Sequence, residues 1–180
     1  MDYLKILHED SNLAADFDAL FDFFLLDEPT ERDEIEEKCT FSMEGVAFAR
    51  DGAGGEYHQL EDGSIGYMSS EGEYGRIAES IDDLIYLLVY SICWHDYCDS
   101  SQYTDVGILE SYAKERYAQI TSYTEMDEWE TVVKALGMPS EANLAAVLQK
   151  FYDAAHREPV YQGFYHEEDG SITAYEGLFF

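Results

Sequence analysis

The sequence predicts an α+β fold, with a mainly antiparallel sheet of about four to six strands packed against several helices in one domain spanning residues 1–180. Three observations carry that expectation. Apolar residues recur at helical spacing in five stretches, most of them in the second half of the chain. Between Cys39 and Ala78 that spacing gives way to short β-prone runs separated by glycine-bearing turns. Hydrophobic residues make up 46% of the chain and aromatics 15%, enough to build a core despite a formal charge of −29.

Residues 12–26 set Leu13, Phe17, Leu20, Phe21, Phe24 and Leu25 three and four apart, with Asp16, Asp18 and Asp22 between them. That is the pattern of an amphipathic helix, capped by Ser11 or Asn12 and ended before Pro29. Thr30 and Asp33 read as a capping box opening a short acidic helix through Lys38. Strands are expected at 46–50, 56–60, 64–69 and 76–78. The turn-rich Asp51-Gly52-Ala53-Gly54-Gly55, then Glu61-Asp62-Gly63 and Glu71-Gly72-Glu73, would separate them, since glycine readily takes the positive φ of tight hairpin turns.

Ser80, with Asp83 three residues on, caps a core helix striped by Ile81, Leu84, Ile85, Leu88 and Val89. Further helices are expected over 106–120, with Ile108, Leu109, Tyr112, Ala113 and Ile120 on one face, and from a Thr124/Asp127 cap to Leu136. Gly137 and Pro139 close the latter as a C-terminal glycine and a following proline should. Ser140 opens a last helix that ends at Pro159. Residues 160–166 and 171–175 flank Glu168-Asp169-Gly170 as a second hairpin. The echo between residues 57–65 and 165–172 is expected from shared turn chemistry rather than duplication.

The negative charge is not confined to a tail: it is −10 over residues 1–40, −10 over 41–100 and −9 over 101–180. Such a potential repels nucleic acid and anionic membranes and attracts basic proteins, while also favouring solubility. The amino terminus reads neither as a signal peptide nor as a membrane span, so a cytoplasmic protein is expected. Cys39, Cys93 and Cys98 are an odd number without zinc-ribbon spacing, and reduced thiols are the simplest account.

Few constellations suggest chemistry. Cys93-Trp94-His95-Asp96-Tyr97-Cys98 offers three ligand types where closed zinc sites need four, and reads as a helix end with a core cysteine. Gly52-Ala53-Gly54-Gly55 lacks the lysine of a phosphate loop and reads as a tight turn. Asp96, Asp99 and Asp105 do not follow the calcium-loop spacing. No nucleophile elbow, phosphate-binding loop or zinc-protease motif is present, so neither catalytic residues nor a cofactor or metal is expected. Arg50 and Arg76, the only basic residues in 41–100, should be paired with carboxylates. Tyr57, Tyr67 and Tyr74 sit near turns among acids, a surface suited to lysine and arginine if exposed.

The stretch from Val46 to Val89 resembles the SMI1/KNR4 group, the SUKH superfamily. Val46-Ala47-Phe48-Ala49-Arg50 leads into the glycine-rich turn. Asp62-Gly63-Ser64-Ile65-Gly66-Tyr67 follows, and Arg76-Ile77-Ala78-Glu79-Ser80-Ile81-Asp82-Asp83-Leu84-Ile85 opens a helix. Ile81 stands where this group usually carries an aromatic. The resemblance implies a two-layer fold of helices against a mainly antiparallel sheet. It further implies a non-enzymatic immunity protein that neutralises a cognate toxin, often a nuclease or deaminase. The expected partner is a basic protein, gripped by Glu56, Glu61, Asp62, Glu71, Glu73 and Tyr74. The alternatives are a regulatory scaffold or nucleic-acid mimic, and an enzyme with a carboxylate site.

Overall fold

A computed structural model of the chain describes residues 1–31 and 39–180. It is an α+β fold, as the sequence predicts, with six α-helices and two sheets among the described residues. The larger sheet has the order β1 (Phe24–Thr30), β3 (Gly45–Arg50), β4 (Glu56–Leu60), β5 (Ile65–Met68), β6 (Glu73–Ala78) and β9 (Glu176–Gly177). Every pairing in it is antiparallel except β6 with β9. The smaller antiparallel sheet has the order β2 (Cys39–Phe41), β7 (Gly163–His166) and β8 (Ile172–Ala174).

One turn geometry recurs four times. In the turns at 51–55, 60–64, 69–73 and 167–171 the first residue's N–H donates to the carbonyl of the fifth, and the fourth residue's N–H donates to the carbonyl of the first, at 2.8–3.2 Å. The fourth residue is always glycine, with φ of 93°, 85°, 91° and 87° at Gly54, Gly63, Gly72 and Gly170. A side chain there would force the backbone into the left-handed region. This shared demand accounts for the echo between the two Asp-Gly hairpins.

Helices cover one face of the large sheet. α3 (Ile81–Ser91) is capped by Ser80, whose Oγ accepts the Asp83 N–H at 3.2 Å, and both α3 and α6 (Leu144–His156) pack on β6. Leu84, Ile85, Leu88 and Val89 are buried, as their spacing predicts. α4 (Val106–Thr121) begins at Asp105, which caps Gly107 N–H at 2.8 Å; of its expected apolar face, Ile108 is left exposed. α5 (Met126–Ala135) ends as expected, with Met138 N–H donating to the Val133 carbonyl and Gly137 N–H to that of Lys134, at a Gly137 φ of 66°. The opposite face of the sheet carries a second cluster, in which Phe41 of the small sheet packs on Tyr74 beside Met43, Leu60, Met68 and Tyr161.

Several expectations are corrected. α2 (Ser11–Phe21) is capped by Asp10 and stops five residues short of Leu26; Asp22 turns left-handed (φ 51°), and 24–30 become strand β1. The Phe23–Leu26 run fits an edge strand as readily as a helix face, and pairing with β3 decides for the strand. α1 (Tyr3–Glu9), capped by Asp2, was not expected. Thr124 does not cap α5; its hydroxyl donates instead to the Ile120 carbonyl at the end of α4. α6 begins at Asn143, which caps Ala146 N–H, rather than at Ser140. The acidic helix expected through Lys38 lies outside the described residues, and Thr30 belongs to β1.

Candidate functional site

The six residues expected to grip a partner do not form one surface. Glu56 and Tyr74 are corrections, because both side chains are buried. The alternation of β4 turns Glu56 and His58 to the same face, and the chain closes over them. Arg50 Nη2 donates to Glu56 Oε1 at 2.7 Å, and His58 bridges Glu56 Oε2 (3.1 Å) and the Tyr161 hydroxyl (2.9 Å). A carboxylate leaving water needs such compensation. Tyr74 packs between Tyr161, Tyr175 and Phe41. Tyr57 and Tyr67 are likewise buried, on the helical side of the sheet.

Glu61, Asp62, Glu71 and Glu73 stay at the surface, on two successive turns. Asp62 is nonetheless committed internally: Arg157 Nη2 donates to its Oδ2 at 2.5 Å, and Arg76 Nη2 lies 3.6 Å from the same oxygen. Arg76 is wholly buried. It donates to Ser64 Oγ (2.9 Å) and to the carbonyls of Arg157 (2.9 Å) and Pro159 (3.0 Å), tying the end of α6 to the sheet. The expected pairing of Arg50 and Arg76 with carboxylates is present.

The Cys93–Cys98 stretch lies just beyond α3 and forms a 3-10 turn, Trp94–Tyr97. Both thiols are free, and burial pushes both up, that of Cys98 to about 12. Among the described residues no group of His, Cys, Asp and Glu could hold a metal ion. His95 turns the other way. Its ring stacks on Trp94 (centroids 3.6 Å apart), and its Nε2 lies 3.3 Å from the Tyr67 hydroxyl. Tyr67 in turn donates to Asp51 Oδ2 at 2.5 Å, while Asp51 Oδ1 accepts the N–H groups of Ala53 and Gly55. Tyr67 has a single proton and gives it to Asp51, so His95 Nε2 carries the hydrogen in the contact with Tyr67. In the neutral ring, Nδ1 is then the lone-pair nitrogen. Burial lowers the imidazole's affinity for a proton, although Asp51 and Asp22 oppose this and the residue as a whole keeps some exposure.

His95 opens on a cleft of about 410 Å³ between the end of α2, the Ile92–His95 turn and the α4–α5 connection. Asp22 and Ile92, the two non-glycine residues with positive φ among those described, both line it. At φ 64°, ψ −50°, Ile92 is in a region a β-branched residue rarely enters. Asp22 is held by the Gly52 N–H at 2.7 Å. Another cleft of about 440 Å³, floored by Tyr90, Tyr117 and Trp129, lies beside α4, α5 and the start of α6. It is lined by both signs of charge, Lys114 with Glu110 and Glu141. The cleft at His95 is lined by Asp22, Glu125 and Glu128 and, among the described residues, by no lysine or arginine.

Sequence reasoning missed this site because its parts are far apart, with Asp22, Asp51, Tyr67 and His95 on separate elements. The one local signal was a Trp-His pair directly after the core helix. Compared with protein-family models, curated proteins and solved structures, the chain matches none of them.

Proposed function

We propose that this chain is a non-catalytic binding protein for a basic protein partner, of the toxin-neutralising kind that its resemblance to the SUKH superfamily implies. The observation that carries the reading is the way charge is distributed between interior and surface. Among the described residues only Asp51 and Glu56 are buried carboxylates, while Lys5, Arg50, Arg76, Lys150 and Arg157 are already ion-paired with acids of the same chain. The field that remains is strongly negative and largely uncompensated. Such a field steers a cationic partner into encounter and disfavours nucleic acid and anionic lipid.

The test is rescue of growth. Cells expressing each of a panel of basic nuclease and deaminase toxin domains are compared with and without this chain. The reading expects survival to return against one of them. It also expects a complex whose association rate falls at least about tenfold from low salt to about 0.5 M, where the screening length shrinks to a few ångströms. Substrate turnover by the purified chain, abolished by neutralising one carboxylate, would overturn it in favour of an enzyme.

A further inference from the structure

We infer that the cleft beside His95 receives an arginine or lysine side chain presented by the basic partner, and so is the anchor point of the interface. This rests on the reading above and gives it a place on the molecule.

The lining has two parts suited to such a side chain. Leu20, Phe21, Ile92 and Ile120 supply apolar surface for the methylene stem. Asp22, Glu125 and Glu128 supply negative charge for the head, with no lysine or arginine among the described residues of the walls to compete. Two further groups favour a guanidinium. Tyr123, 71% exposed at the cleft, offers an aromatic face for cation–π contact. His95 offers a lone pair on Nδ1, because the Tyr67–Asp51 pair fixes the hydrogen on Nε2. An anion meets three carboxylates there, and an apolar side chain leaves them desolvated without a partner. The neighbouring cleft of similar volume lacks this selectivity, since Lys114 stands among its acids. Large side chains that fill a pocket ringed by complementary charge are the usual anchors of protein interfaces, and arginine is among the commonest.

The experiment uses the full chain, labelled with ¹⁵N, and two probes: the capped tripeptide acetyl-Gly-Arg-Gly-amide and a twenty-residue polyarginine. The tripeptide is expected to bind saturably in the millimolar range, moving the resonances of the Trp94 indole, His95, Tyr123 and Glu128. Its citrulline analogue, which has the same shape without the charge, should not. Glu125→Gln with Glu128→Gln should weaken the tripeptide about tenfold. Asp153→Asn with Glu158→Gln changes net charge equally at the C-terminal end of α6 and should weaken it less than about twofold. Unchanged melting of both double variants shows that each is folded. If polyarginine binds but the tripeptide moves resonances elsewhere, or both double variants lose affinity alike, the anchor cleft is overturned while the acidic-binder reading stands. If neither probe binds at low salt, both fall.

Discussion

The hairpins at 60–64 and 167–171 close the same turn with the same bonds, yet one is embedded in the molecule and the other is not. In each, aspartate accepts the N–H of the serine two residues on, at 3.0 Å for Asp62 and 2.9 Å for Asp169, and glycine takes the left-handed position. Around Asp62 the rest of the chain has gathered. Ser64 is buried and receives Arg76 Nε, and Asp62 itself receives Arg157. Around Asp169 the chain stays at the surface, and residues 167–172 are all exposed. The local sequence sets the shape of a turn. Its energetic weight comes from partners that the sequence near it does not mention.

The largest expected break in that comparison is at Arg76. Arg76→Met strands the carbonyls of Arg157 and Pro159 and leaves Asp62 with one cation instead of two, so a loss of about 3–5 kcal/mol is expected in urea unfolding at unchanged slope. A loss below about 1 kcal/mol would mean that Arg76 does not hold α6 to the sheet.

The next effect separates the two aspartates. Asp62→Ala should cost about 1–2 kcal/mol, reduced by the side chain's partial exposure, and Asp169→Ala should shift the unfolding midpoint much less. The same contrast appears in acid. Burial alone would raise the Asp62 carboxyl, but the Ser64 hydroxyl and N–H and the Arg157 guanidinium outweigh it and bring it to about 2. A depressed folded-state value means that its stabilisation is complete above the ordinary aspartate range and fades as pH falls towards 2. Carboxyl NMR should place the Asp62 titration there, and Asp62→Asn should flatten that part of the acid unfolding curve.

The smallest expected difference is between the two glycines. A Cβ at Gly63 or Gly170 meets nothing within 4 Å, so Gly63→Ala and Gly170→Ala should each cost only the backbone penalty, about 1 kcal/mol, and by nearly the same amount. Unequal losses would show that the turns differ in more than their surroundings.

Features governed by a few neighbouring residues were legible in the sequence: four glycine turns, the Ser80 cap, the Gly137 stop and the stripe of α3. The α2–β1 boundary was not, because Phe23 to Leu26 fits either period until β3 is beside it. Of the expected binding residues, Glu61, Glu71 and Glu73 keep the exposure assumed for them. Glu56 and Tyr74 lose it to strand alternation and to a second layer arriving from residues 160–175. The His95 cleft was not legible, since its acids come from the end of α2 and the start of α5 and its histidine's orientation from Tyr67 of β5.

By itself the sequence determined the turn geometry, the Ser80 cap, the abundance of apolar material and the sign of the field, because each follows from short-range backbone sterics or from a simple sum of charges. Only the tertiary structure decided which acids face water. His58 meets Tyr161 across 103 residues and Arg76 meets Pro159 across 83. Whether a carboxylate is a buried partner or a surface charge depends on which distant group arrives to replace its water.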